Sequence, residues 1–236
     1  MSIYAIADTH LAFFPESDKP MDVFGKRWTD HEDRLKAACE QMMNDDDTLI
    51  VAGDISWAIR LEDARYDLDW IHSLPGRKIM IKGNHDLWWN GITKLNSLYE
   101  DMSFLQNDCI VAEGCCICGS RGWLTPDHDD YTGEDEKIYR RETLRLEMSL
   151  EAGKKKLDED PGIERILGFI HFPPAIDRVR LSAFHDLFRE YGVRDVYYGH
   201  IHGDEAFRAA LTGDVDGIAY HLISLDYLNC RPLKIR

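Results

Sequence analysis

No stretch of this 236-residue chain is apolar for longer than a β-strand. The longest such runs, among them Thr48–Ala52 and Ile166–Ile170, fall far short of the roughly 18 residues a membrane span needs. Repeats, low-complexity tracts and a dividing linker are also missing, so one domain over residues 1–236 is expected. Positive charge is scarce: 28 Lys and Arg face 43 Asp and Glu, for a formal net charge of -15 at pH 7. Such a surface repels long DNA or RNA and anionic lipid headgroups, so neither nucleic acid nor membrane is expected as a partner. Residues 1–8 enter a strand without a basic stretch and a long apolar one before it, so no secretion signal is expected.

Cysteines number six, at 39, 109, 115, 116, 118 and 230, and four lie within ten positions. Cys115 and Cys118 have the Cys-x-x-Cys spacing of a zinc or redox motif, but no second pair completes a site. The stretch alternates like a strand. Buried free thiols in a reducing cytoplasm are the expectation, and thiol-based metal or redox chemistry is the alternative.

What the chain does have is a rhythm of strand, loop and helix. Strands are expected at Ile3–Ala7, Thr48–Ala52, Arg77–Ile81, Cys109–Cys118, Ile166–Ile170, Asp195–Tyr198 and Tyr220–Leu225. Helical spacing marks Asp30–Met43, Leu61–Leu74, Ile138–Leu157 and Leu181–Tyr191. Alternation of this kind predicts an α/β fold with mostly parallel strands, whose carboxyl ends collect the chemistry.

Five short segments sit at such strand ends: Asp8-Thr9-His10, Gly53-Asp54, Gly83-Asn84-His85-Asp86, His171 and Gly199-His200-Ile201-His202. They supply two Asp, one Asn and four His, a mixed N/O set able to hold two divalent ions. Asp8 and His10 are two apart, so one loop can aim both at a point; His200 and His202 share that spacing on an extended segment. No Cys belongs to the set, which suits Mn²⁺, Fe²⁺ or Zn²⁺ better than soft ions.

In order and context, these segments resemble the calcineurin-like metallophosphoesterases, over residues 8–202. The resemblance implies a four-layer α/β/β/α sandwich of two facing mixed sheets. It implies that Asp8, His10 and His202 hold one metal ion, that Asn84, His171 and His200 hold the other, and that Asp54 bridges both. His85 would face the substrate as a catalytic residue, with Asp86 orienting its ring. Two ions roughly 3.5–4 Å apart would generate a hydroxide near neutral pH and attack phosphorus in line.

Around this set, Arg121 is a candidate phosphate contact, with pairing to an acid as its alternative role. Trp57, Trp88, Trp89 and Phe172 are expected mainly to pack near the ligands, or else to wall the substrate. The segments 18–29 and 125–139 are candidate lids. His31, His72, His128, His185 and His221 are read as surface or structural. The expected function is hydrolysis of a small phosphomonoester or phosphodiester in the cytoplasm. A nuclease of the same family and a non-catalytic scaffold on the same fold are the alternatives.

Overall fold

The computed structural model describes residues 1–236. Ile3–Ile6 (β1), Thr48–Ala52 (β2), Arg77–Ile81 (β3) and Met102–Leu105 (β4) run parallel in one sheet. Leu233–Lys234 (β11) joins the outer edge of β1 antiparallel, giving the order β11-β1-β2-β3-β4. The second sheet contains Cys109–Ala112 (β5), Cys115–Ser120 (β6), Arg165–Ile170 (β7), Asp195–Tyr198 (β8), Gly213–Val215 (β9) and Ile218–Leu222 (β10). Its order is β5-β6-β7-β8-β10-β9, with parallel strands inside and an antiparallel strand at each edge.

β1 and β2 are buried along their whole length and β3 from its second residue, which is why they read as continuous apolar runs. Side chains alternate between faces. Ala5, Ile50, Ile79 and Ile81 point inward and meet Ile117, Leu167, Phe169 and Tyr197 of the other sheet. Tyr4, Ile6, Leu49 and Val51 point outward, beneath His31–Met42 (α1) and Leu61–His72 (α2), and the single turn Ile92–Leu95 (α3) precedes β4. On the far side, Ile166, Ile170, Val196 and Tyr198 pack under Asp135–Glu159 (α4) and Ala183–Glu190 (α5). The layers are therefore helix, sheet, sheet, helix, the architecture expected. No helix is long and apolar enough to cross a membrane.

Some local expectations need correction. Cys109–Cys118 is not one strand but a hairpin, β5 and β6, turned at Glu113 and Gly114. Both turn residues have positive φ, 48° and 72°, as a tight two-residue hairpin requires. Met102–Leu105 is a further strand that the sequence pattern does not mark; four residues are too few to show a period, and pairing with β3 decides their state. The last predicted strand begins and ends earlier, at Ile218–Leu222. Beyond it the chain crosses to the first sheet, where Leu225 donates its backbone N–H to Ala7.

All six cysteines are buried and unbridged. Cys118 faces the helix layer and Cys115 the space between the sheets. Opposite faces of one strand cannot chelate one ion, so the Cys-x-x-Cys spacing carries no metal site.

Candidate active site

The candidate ligands follow the carboxyl ends of β1, β2, β3, β7 and β8, where two parallel arrays open side by side. Asp8, His10, Asp54 and His200 have φ of 61°, 44°, 49° and 69°. Left-handed backbone at a non-glycine residue is uncommon and costs on the order of 1–3 kcal/mol. Neighbouring loops hold it in place: Asp8 donates its N–H to the Gly53 carbonyl and His10 to that of Asp54, at 2.9 and 3.0 Å. Two glycines permit this crowding. A methyl group on Gly83 would strike the backbone and carboxylate of Asp54, and one on Gly199 the carboxylate of Asp8.

The seven side chains converge. Ligand atoms of Asp8, His10 and His202 lie within 4.8 Å of one another, as do those of Asp54, His171 and His200. Asp54 touches both groups: its Oδ2 is 3.2 Å from His171 Nε2 and 3.8 Å from His10 Nε2. Asn84 Oδ1, 3.0 Å from the same His171 nitrogen, completes the second group. The ring orientations are set from behind. The Ala52 carbonyl accepts from His171 Nδ1 at 3.1 Å, which leaves Nε2 facing Asp54 and Asn84. Asp226 lies 2.9 Å from His202 Nδ1, which leaves Nε2 toward Asp8.

The charge pattern suits a cation. Burial raises the Asp8 carboxyl, pushes His10 well below its ordinary range and takes His200 down to about 3. Those two imidazoles are therefore neutral, with lone pairs to offer. Burial also works against charge on Asp54 and His171, but each outweighs it for the other: Asp54 is held low, and His171 is raised to about 9. A proton on His171 stands where positive charge is needed. The buried Nδ1 of His10 has no hydrogen-bond partner in the protein. Two buried carboxylates, an amide oxygen and neutral imidazoles fit divalent metal ions.

His85 stands beside the seven, its side chain 43% exposed and its Nε2 3.9 Å from Asp54 Oδ2. Burial lowers its pKa. Asp86 does not orient that ring. Its carboxylate accepts from the backbone N–H groups of Ile55, Ser56 and Gly83 and from Trp88 Nε1, so it ties the loop after β2 to the loop after β3. Full burial makes backbone donors its available partners.

Arg121 is not placed as a phosphate contact either. Its guanidinium lies 3.2 Å from the buried carboxylate of Glu142 and stacks over Trp123. It lines a small cavity with Lys82 and Arg145, apart from the one that holds the ligands. Trp57 stacks on His10 at 4.7 Å and Phe172 on His200 at 4.0 Å, while Trp88 and Trp89 pack against Phe104 in the core.

A cleft of about 710 Å³ exposes His10, Asp54, His85, His200 and His202. Met21, Phe24, Lys26, Arg27 and Trp28 form one wall, so the 18–29 segment borders the site; Met21–Phe24 is a short 3-10 helix. Among the other histidines, His31 bonds the Thr9 and Trp28 carbonyls, His72 pairs with Asp101 and His185 with Tyr220.

Asp226 is a residue of the candidate site that the motifs missed. It follows Leu222-Ile223-Ser224-Leu225, a run interrupted by one serine but otherwise apolar like the one before Asp8, and the chain's crossing between sheets delivers it to His202.

A family model described as calcineurin-like phosphoesterase matches residues 1–204. No protein with a curated description matches the chain. Among solved structures it is similar to the phosphopantetheinyl hydrolase PptH from Mycobacterium tuberculosis, with 16% identity, a TM-score of 0.52 and coverage of 99% of this chain and 95% of that one. The protein of unknown function AQ665 from Aquifex aeolicus is similar to the same degree, with 15% identity, a TM-score of 0.51 and coverage of 99% and 95%. At such identities the likeness is one of fold.

Proposed function

The chain belongs to the calcineurin-like phosphoesterase family, and from that premise we propose that it is a metal-dependent hydrolase of small phosphoric esters. One observation carries the reading: a single carboxylate oxygen, Asp54 Oδ2, stands 3.2 Å from His171 Nε2 of one ligand group and 3.8 Å from His10 Nε2 of the other. Asp8, His10 and His202 would hold one ion, Asn84, His171 and His200 the other, and Asp54 both. Two divalent ions there, Mn²⁺, Fe²⁺ or Zn²⁺, would supply Lewis acidity toward a water and the phosphoryl oxygens.

The chain's own groups do the rest. Asp226 and the Ala52 carbonyl hold the His202 and His171 rings in the tautomer that presents Nε2. Trp57, stacked on His10 and close to His85, limits water beside both rings. His85 faces the cleft, and its lowered pKa keeps the imidazole neutral near pH 7. It acts as an N–H donor to the oxygen that leaves phosphorus. Lys26 places positive charge on the cleft wall of an otherwise acidic protein, while Arg27 on the same wall is paired with Asp204 at 2.8 Å. The net charge of -15 repels a long polyanion, so a small anionic substrate is favoured over a long nucleic acid. The scaffold alternative finds no support in a ligand set that keeps all seven members together.

The test is Mn²⁺-dependent hydrolysis of bis(p-nitrophenyl) phosphate beside p-nitrophenyl phosphate. Turnover that is lost in Asp54→Asn supports the reading, and the preferred ester separates diesterase from monoesterase. No turnover together with no bound metal sinks it.

A further inference from the structure

Two clefts open onto His200 and His202. The larger one holds His85, Lys26 and Arg27, and four of its fifteen lining residues are apolar. The second, of about 350 Å³, reverses the balance, with ten apolar residues of fifteen and no lysine, arginine or carboxylate. Its walls converge from separate parts of the chain: Trp123 and Leu124 follow β6, Phe172 and Ile176 follow β7, and Leu211 follows Asp204–Ala209 (α6). Phe172 is buried and stacks on His200, so the apolar surface begins at the edge of the ligand group. His200 and His202 border both clefts, so a phosphate held at the ligands has room for one ester arm on each side.

We infer that the substrate is a phosphodiester with two unlike arms, of which one, a short alkyl chain or ring, seats in this second cleft. The inference rests on the phosphoesterase reading and adds the substrate class to it. Apart from His128 and the ligand histidines His200 and His202, a charged arm would lose its hydration there without a lysine, arginine or carboxylate to pair with, whereas an apolar arm gains from burial. The volume is near the lower end for small-molecule pockets, about 300–1,000 Å³, and leaves room for about ten non-hydrogen atoms.

The position of His85 assigns the direction of cleavage. It lines the first cleft and not the second, so the departing oxygen leaves through the first. Water adds to phosphorus, and the bond from phosphorus to the first-cleft ester oxygen breaks. That oxygen leaves with a proton from the water, as an alcohol or phenol. The other product is a phosphomonoester still bearing the apolar arm.

The experiment uses the Mn²⁺-loaded protein with methyl, butyl and hexyl p-nitrophenyl phosphate, and calorimetric binding of the corresponding alkyl phosphates. The expected result is a rise in kcat/KM of about two- to fourfold per methylene, with alkyl phosphate as product, and a parallel rise in affinity. Ala209→Trp at the exposed rim of the cleft, and separately Ile176→Ser, bring the hexyl-to-methyl ratio close to one. Two variants guard against misfolding in either. Turnover of the methyl ester without gain along the series overturns the apolar arm and leaves the phosphoesterase reading standing. Failure to hydrolyse any of the esters overturns this inference, and when no metal is bound either it overturns the phosphoesterase reading as well.

Discussion

Asp54 and His171 belong to different sheets, yet their Oδ2 and Nε2 atoms lie 3.2 Å apart. Asp54 follows β2 in the first sheet and His171 follows β7 in the second. The candidate metal centre is therefore a seam, and ions bound there would clamp the two sheets together. Mn²⁺ at a hundredfold excess over its Kd is expected to stabilise the fold by about 2.7 kcal/mol per site. For a chain of this length that means a rise in Tm of several degrees. Asp54→Asn should lose most of the rise in a thermal melt. An equal rise in the variant would count against a seam built on this carboxylate.

His85 and Asp86 are adjacent but should fail differently. Asp86→Ala leaves three backbone N–H groups and an indole N–H unpaired in a buried place. The expected loss is about 3 kcal/mol or more in urea unfolding. His85→Ala, half exposed, should change stability by about 0.5 kcal/mol at most. It should lower ester turnover by about 10²-fold. Full turnover in His85→Ala, or unchanged stability in Asp86→Ala, would reverse this assignment.

Asp226 acts through His202. Asp226→Asn keeps the shape but weakens the hydrogen bond that presents Nε2 to the site. Metal affinity should fall by about 10–100-fold, read as a shift in the Mn²⁺ concentration for half-maximal activity. Excess Mn²⁺ should restore most of the rate. A rate that stays low at saturating metal would show that Asp226 does more than orient the ring.

Asp67 gives a pH signature away from the ligands. Its fully buried carboxyl accepts from the Phe13 N–H and pairs with the Ser56 hydroxyl, and burial pushes it up to about 6 from 3.8. Between those two values the folded state keeps a proton that the unfolded state has lost. This group's contribution therefore falls as pH climbs from about 4 to 6, by about 2–3 kcal/mol in all. Asp67→Asn cannot ionise. Its stability relative to the unaltered protein should improve by about 2 kcal/mol from pH 4.5 to pH 7 in metal-free urea titrations. A constant difference across that range would refute the assignment.

The ligands were legible because buried parallel strands write themselves as short apolar runs, and the residue after each run is where chemistry collects. Asp8, Asp54 and His171 each stand at or just past such an end. The four longer helices were legible through their period, with α4 starting three residues before the expected Ile138, whereas the short Ile92–Leu95 and Asp204–Ala209 were not. Met102–Leu105 was not, because four residues carry no period and a neighbouring strand decides them.

Residue chemistry and spacing by themselves determined the α/β class and, with the resemblance, the seven candidate ligand positions that the fold brings together. Partners were another matter. Nothing local to Arg121 says that Glu142, on a helix beyond the hairpin, takes its charge. Nothing local to Asp86 says that its acceptors turn toward backbone N–H groups instead of His85. Asp226 reaches His202, and Phe172 the edge of an apolar cleft, only because two sheets close face to face. Periodicity and residue type are carried by neighbours in the chain, whereas hydrogen-bond partners and clefts arise from contacts between segments far apart in it. Those contacts are chosen by packing of the whole fold, so the tertiary structure alone decided them.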